Sequence, residues 1–294
     1  MKKTILIDFN NLAFRYFFLK EVAVYTPKPN FDIWRYMVCE VIHKWMYLEK
    51  GINEVVIAVD DKNTWRKSYF PRYKESRKKK RDKTEVDFNL LYGAIDRLAA
   101  DLKHFMPYKV LKVRGAEADD IIGILAMENR GESIVISNDE DYLQLCSDSV
   151  RVWNPKNKKY SQCDDTELFV IRKSLMGQAK DDIFNVITPN NWGQTPETAG
   201  KRKPGFGPKS CDKVMKEGYE EWLEKKDLQD NFKRNRILMD FGYIPQSMRD
   251  RITISYKRST FPPPQNIRKF FKQYNMRGFL DDFTNIERKL MSLY

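Results

Sequence analysis

An α/β fold with a parallel sheet, followed by a mostly helical C-terminal region, is what the order of segments predicts. Three observations carry that prediction. "TILIDF" (4–9), "EVVIAVD" (54–60), "YKVLKV" (108–113) and "SIVISN" (133–138) are short, near-continuous runs rich in valine and isoleucine, as expected of strands buried on both faces of a parallel sheet. Helical periodicity fills the intervals at 32–50, 87–105 and 117–129, so strands alternate with helices and right-handed crossovers follow. After about residue 165 the strand signals stop, and short helices punctuated by proline and glycine take over, as in "TPNNWGQTPETAGKRKPGFGPK". Strand order is not readable from these patterns.

The remaining elements fall into place around that frame. "VRVWN" (150–154) and "KYSQC" (159–163) read as a hairpin closing the core. A soft boundary near residue 180 separates a core, 1–180, from a helical region, 181–294. "FPPPQ" (261–265) marks a rigid turn between late helices. The terminal "ERKLMSLY" reads as a helix packing on its own core, with docking on another protein as the alternative. At 294 residues the chain is long enough for one large domain or two modest ones.

Several function classes lose support at this stage. No run of 18 apolar residues spans a bilayer, and "MKKTILIDFNNL" reaches an aspartate too early for a signal peptide, so a cytoplasmic protein without membrane association is expected. Cys39, Cys146, Cys163 and Cys211 lie far apart with no C-x-x-C pair, which argues against a zinc site or a disulfide framework. The two histidines, His43 and His104, sit inside helical patterns, so histidine acid–base chemistry and a Ser-His-Asp triad have no foothold.

Charge is unevenly placed. The net charge is +12, yet residues 116–141 hold eight acids against one base, Arg130. Ligands of open parallel sheets bind beyond the carboxyl ends of the strands. Asp8, Asp60 and, after "IVISN", Asp139 and Asp141 all lie there, and Glu117, Asp119 and Asp120 open the helix that follows the third strand. Asp181, in "GQAKDDIFNV", is a further candidate. Any one of these could simply cap a helix. As a set, carboxylates converging on one cleft repel unless cations neutralise them, and an all-oxygen donor set points to Mg²⁺ or Mn²⁺.

Two basic segments flank the acids. Residues 62–83 hold eleven Lys/Arg and two acids, interleaved with Trp65, Tyr69, Phe70 and Tyr73; residues 201–216 hold six bases and one acid. Such a run is often only a solvated face. Beside a carboxylate cleft, aromatics that stack bases and cations that track phosphates suit single-stranded nucleic acid. "GFGPKS" before a helical pattern supplies backbone N–H donors of the kind that hold an anion or a bridging cation.

"LIDFNN", "VIAVDD", "YFPRYKESR", "AEADDIIG", "ISNDEDYLQL" and "GFGPKS" are, in order and spacing, similar to the signatures of the flap endonuclease family of 5′ nucleases. The later "RILMDFGYIP" and "FPPPQNI" resemble the T-even phage ribonuclease H branch. That resemblance implies a PIN-like nuclease core, a basic arch or clamp over about 62–88, and a helix-three-turn-helix in the helical region. It implies hydrolysis of phosphodiesters in RNA–DNA hybrids and in flapped or nicked duplex DNA, for primer removal, by a monomer. Asp8, Asp60, Glu117, Asp119, Asp120 and Asp139 would hold a first ion, with Asp141 and Asp181 belonging to a second group. Lys74 and Arg77 would contact the scissile phosphate and steer the strand, with Arg66, Arg72 and Tyr73 also binding DNA. Gly205, Gly207, Lys209 and Ser210 would meet duplex DNA, with a potassium ion at that turn. Replication proteins (a single-strand-binding protein, a polymerase or a clamp) are implied as partners.

One departure stands out. Where the family reads G-D-x-x-D-N, this chain reads Gly177-Gln178-Ala179-Lys180-Asp181-Asp182, so the first acid is the neutral Gln178. Asp182, in place of the usual Asn, offers a charge in exchange, but an adjacent residue points elsewhere, so a second metal would be bound weakly or through water. A structure-specific DNA-binding protein with weakened nuclease activity is therefore the alternative. A compact PIN-type ribonuclease would explain the acids but not residues 180–294.

Overall fold

A computed structural model describes residues 2–19, 22, 29–84, 86–129 and 131–294; Arg130 and the side chains of residues 78–80, within the basic run, lie outside the described set. The chain divides into two units, one formed by residues 1–63, 87–162 and 246–294, the other by 64–86 and 163–245.

The first unit is built on a six-stranded sheet: β1 (Lys3–Asp8), β2 (Ile52–Val59), β3 (Lys109–Lys112), β4 (Glu132–Ile136), β5 (Val150–Asn154) and β6 (Lys159–Ser161). Its order is β3-β2-β1-β4-β5-β6. All neighbours are parallel except β5 and β6, which form the expected antiparallel hairpin. The chain moves outward from β1 to β2 and β3, then returns to place β4 on the other side of β1. That reversal is a topological switch point, where ligands bind outside the strands' carboxyl ends. Ile5, Leu6 and Ile7 of β1, Val55 to Ala58 of β2 and Ile134 and Val135 of β4 are at most 1% exposed, so the apolar runs are covered on both faces. Each such side chain contributes roughly 1.5–3 kcal/mol by leaving water.

Helices α1 (Phe9–Phe17), α2 (Phe31–Trp45), α5 (Phe88–Phe105) and α6 (Ala118–Glu128) belong to this sheet, and their starts are written in the sequence. Asp8 caps α1 by accepting from Asn11 N at 3.0 Å, Asn30 caps α2 from Ile33 N at 3.0 Å, and Asp87 caps α5 from Asn89 N at 2.9 Å. The second helix ends at Trp45, short of the residue 50 expected, because turns occupy 46–50 and Gly51 follows at φ 78°. Late helices α11 (Gln246–Arg258), α12 (Asn266–Gln273), α13 (Arg277–Asp281) and α14 (Phe283–Met291) complete the unit. Phe270 and Phe271 of α12, Leu290 of α14 and Leu293 are buried, so the carboxyl terminus packs on its own core.

The second unit holds α3 (Trp65–Tyr69), α4 (Glu75–Arg81), α7 (Thr166–Met176), α8 (Pro208–Glu217), α9 (Tyr219–Lys225) and α10 (Gln229–Met239). One apolar cluster gathers Leu175, Val186, Phe206, Cys211, Val214 and Leu223; another gathers Phe70, Tyr73, Ile183, Phe184, Leu238 and Met239. Arg234, 3% exposed, ties the irregular segment after α7 to α10 through Phe184 O at 3.1 Å and Thr188 O at 3.3 Å. Among the described residues no helix is long and apolar enough to cross a membrane, and the four cysteines are free.

Candidate metal centre and nucleic-acid interface

In the first unit the acids assemble at the carboxyl ends of the strands, as their positions predict. Asp8 ends β1, Asp60 follows β2, Glu117 precedes α6 after β3, and Asp139 follows β4. Glu117, Asp119 and Asp120 bring one oxygen each within 4.8 Å of one another. The helix start places them there. Glu117 is the N-cap of α6 in a capping box whose other arm is the 2.9 Å bond from Glu117 N to Asp120 Oδ2. Asp60 Oδ1 accepts from Ala118 N at 2.7 Å, which joins the end of β2 to the same turn. Asp139 Oδ1 accepts from Asp141 N at 3.1 Å and so caps the short 3₁₀ turn Glu140–Leu145. Capping and clustering are therefore performed by the same carboxylates.

The electrostatics show that these groups share one space. Burial, then the charges of Asp60 and Asp139, push the Asp8 carboxyl up to about 7, against donation from Asn11 N–H and the Tyr142 hydroxyl. Tyr142 is itself held well above its ordinary range by burial and by Asp8, Asp119 and Asp139. A buried phenol thus feels the charges of three of the carboxylates, and its Oη donates to Asp8 Oδ2 at 3.1 Å. Mutual repulsion of this size is what a hard cation relieves. The donor set fits a divalent ion: it is all oxygen, with Asp8, Asp60, Asp119 and Asp139 only partly exposed, while Glu117 and Asp120 are buried at 8% and 0%. Asp120 has Oδ2 committed to the capping box and Oδ1 shielded from solvent.

Three participants were missed by sequence reasoning. Tyr142 is one. Asn10, 7% exposed, accepts from Asp60 N at 3.0 Å and fixes the turn after β2. Asp61 Oδ2 accepts from Gly115 N at 2.8 Å, while its own N donates to Ala116 O at 2.9 Å, clamping the loop between β3 and α6. Asn10 lies in "LIDFNN" and Asp61 in "VIAVDD", so both stood inside motifs already marked.

In the second unit, Asp181 is 4% exposed and forms an ion pair with Arg77. Its carbonyl accepts from Lys74 N at 2.9 Å. Lys74 at φ 55° and Asp182 at φ 57° both take the left-handed conformation. Asp182 Oδ2 accepts from Ser76 N at 2.7 Å and so caps the start of α4. As expected of an adjacent residue, the Asp182 carboxylate points elsewhere than the vacated acid position and serves the basic helix. Gln178 pairs through its backbone with Ile183, with N to Ile183 O at 2.8 Å. Gly177, at φ 69°, is obligatory, since an added Cβ would lie 2.5 Å from Phe184 C.

The basic segment departs from expectation in its aromatics. Arg66 is 1% exposed with Nε donating to Leu238 O at 2.8 Å, and Tyr73 and Phe70 are buried in an apolar cluster. These three hold α3 and α4 in place and are not presented to a ligand. Arg72 is drawn inward as well, donating to Trp192 O and lying 4.8 Å over the Phe184 ring. Tyr69, 46% exposed, is the aromatic of that run that faces solvent most. Lys74 is half-buried and Arg77 exposed. At the glycine turn, Gly205, Gly207, Lys209 and Ser210 are exposed while Phe206 between the glycines is anchored in the core at 8%. A Cβ at either glycine meets nothing within 4 Å, so the protein's own packing does not require them. Gly207 is the N-cap of α8 with Pro208 following, leaving a helix start without a side-chain cap.

The family described as "5′-3′ exonuclease, N-terminal resolvase-like domain" matches residues 3–173, and "T4 RNase H, C terminal" matches 164–285. The ribonuclease H of Enterobacteria phage T4 is 26% identical over 280 residues, covering 90% of each chain. A flap endonuclease Xni of a Shewanella species (strain ANA-3) is 25% identical over 222 residues, covering 74% of this chain and 75% of its own. Among solved structures, the phage T5 5′-exonuclease with divalent zinc bound shares the fold with a TM-score of 0.61 and 19% identity, over 88% of this chain and 99% of that one. With a match spanning more than half its length and a relative of equal extent, the chain belongs to the 5′-3′ exonuclease family.

Proposed function

We propose that the chain is a Mg²⁺- or Mn²⁺-dependent 5′ nuclease that hydrolyses phosphodiesters of RNA–DNA hybrids and of flapped or nicked duplex DNA, removing primers during replication. The observation that carries the proposal is the convergence of Glu117, Asp119 and Asp120 within 4.8 Å at the strand ends that also bear Asp8, Asp60 and Asp139. Asp8, Asp60, Glu117, Asp119, Asp120 and Asp139 would hold one ion, directly or through water; Asp141 and Asp181 would belong to a second group in which Gln178 supplies no charge. When bound, the ions supply Lewis acidity and lower the pKa of a coordinated water. The chain's own groups do the rest. Tyr142 and the N–H groups of Asn11 and Ala118 hold the carboxylates in fixed orientations. Lys74 and Arg77 offer positive charge to the scissile phosphate, with Asp181 keeping Arg77 in place beforehand. Lys209, Ser210 and the open N–H groups at the start of α8 would bind duplex phosphate, and the turn Gly205–Ser210 would hold a potassium ion that adds positive charge there. Partners of the replication machinery, such as a single-strand-binding protein, a polymerase or a clamp, fit this role.

One titration tests the reading. A 5′-end-labelled flap and a matched RNA–DNA hybrid are incubated across a Mg²⁺ series, with Gln178→Asp alongside. Metal-dependent release of short 5′ products supports the nuclease, and a gain by the variant at low Mg²⁺ supports a weakened second group. Tight binding without cleavage in Mg²⁺ or Mn²⁺ would favour the DNA-binding alternative.

A further inference from the structure

The sheet ends on β3, which pairs with β2 alone. Beyond its outer edge lies a cleft of about 960 Å³ floored by residues 110–113. Within the same unit, α5 contributes Lys103 and His104 to one wall, α11 contributes Arg251, Ile254 and Arg258 to another, and residues 259–263 close it. An edge strand carries backbone N–H and C=O groups on its open side, and among the described residues no other strand engages those of β3.

Two further features select the occupant. The lining holds five Lys/Arg residues (Lys103, Lys112, Arg114, Arg251, Arg258) and neither Asp nor Glu. Lys112 is paired with Asp96 at 2.6 Å, but among the described residues Lys103, Arg114 and Arg258 head no ion pair. A second copy of so basic an edge is repelled, whereas an acidic strand is attracted. Between the bases stand apolar anchors: Ile254 is 48% exposed, and Phe261 is held edge-on to Tyr294 at 5.7 Å. The far wall is fixed in advance, since Tyr294 Oη donates to Pro262 O at 2.6 Å and Asn266 Nδ2 to His104 O at 3.3 Å. This gives the "FPPPQ" turn a role beyond linking helices, because a preformed wall lowers the ordering cost of binding.

We propose that this cleft docks an extended acidic segment of a partner protein. The segment adds as a strand to β3, sets an apolar side chain against Ile254 and Phe261, and places its carboxylates on Lys103, Arg114 and Arg258. A phosphate backbone would answer the charge but leave both the open strand edge and the apolar anchors unused, which favours a peptide over nucleic acid. The inference does not depend on the nuclease reading.

The test uses the full chain and a fluorescein-labelled decapeptide of alternating aspartate and valine, followed by anisotropy. Saturable, salt-sensitive binding is expected, weakened about tenfold or more by Lys103→Glu with Arg258→Glu. A peptide N-methylated at alternate amides should lose a similar factor, and amides 110–113 should gain protection from hydrogen exchange on binding. Ile254→Ser provides a second variant should the double substitution unfold. No saturable binding overturns the proposal, as does equal affinity for the variants. Displacement of the peptide by a short DNA duplex whose own affinity falls equally in the double variant also overturns it, and assigns the cleft to nucleic acid.

Discussion

Replacing Asp182 separates a helix cap from a metal ligand. The Asp182 carboxylate accepts from Ser76 N at 2.7 Å, and the residue sits at φ 57°. Asparagine keeps an acceptor oxygen and tolerates the left-handed conformation, so Asp182→Asn should cost no more than about 0.5 kcal/mol. Alanine loses the cap, at about 1 kcal/mol, and adds left-handed strain of about 1–2 kcal/mol, for a total of about 2–3 kcal/mol concentrated at the start of α4. Because α4 follows Lys74 and carries Arg77, the alanine variant should cleave a 5′ flap more slowly and show faster hydrogen exchange at the Ser76 amide. The asparagine variant should match the parent in both. Neither should change the Mg²⁺ concentration for half-maximal cleavage. A severalfold rise in that concentration with Asp182→Asn would refute the capping role and return Asp182 to the metal site.

Other outcomes follow from the packing. Gly177→Ala forces a Cβ to 2.5 Å from Phe184 C at φ 69°, and should lower unfolding stability by at least about 3 kcal/mol in a thermal melt. Arg234→Met strands Thr188 O and other acceptors of a buried guanidinium, and should cost about 2–4 kcal/mol, read as faster limited proteolysis of residues 184–192. Glu49 accepts from Arg151 at 2.5 and 2.6 Å and is drawn down to about 2, chiefly by that guanidinium and further by Tyr160 and Lys3. A depressed carboxyl stabilises the fold above its unfolded value near 4.5 and loses that contribution as pH falls through about 2. Discounted for solvent screening, the loss is about 1–2 kcal/mol. Acid titration of Glu49→Gln should therefore show a shallower decline than the parent between those values.

The sequence carried the first unit well because burial on two faces leaves an unmistakable run of valine and isoleucine, and because Asp8 and Asp139 mark strand ends and helix starts at once. Strand order was hidden, since nothing in "SIVISN" says that it returns beside "TILIDF". Tyr142 escaped notice because a tyrosine in a 3₁₀ turn has no pattern of its own; only the fold brings its hydroxyl to Asp8. In the basic segment, composition was a poor guide to exposure. Arg66 satisfies a backbone carbonyl and Tyr73 fills an apolar cluster, and neither task differs in sequence from gripping nucleic acid. The departure at Gln178 was visible, but the use of Asp182 was not, because capping Ser76 joins positions more than a hundred residues apart.

The central claim is that the carboxylates at the strand ends hold the ions that make this chain a nuclease. Asp139→Asn keeps an oxygen to cap Asp141 N while removing one charge from the cluster around Asp8 and Tyr142. Single-turnover cleavage of a 5′-labelled flap in Mg²⁺, with flap affinity measured in parallel, tests the claim most directly. Loss of cleavage by at least about a hundredfold with affinity unchanged is the predicted result. Cleavage at the parental rate would contradict it and remove Asp139 from the metal site.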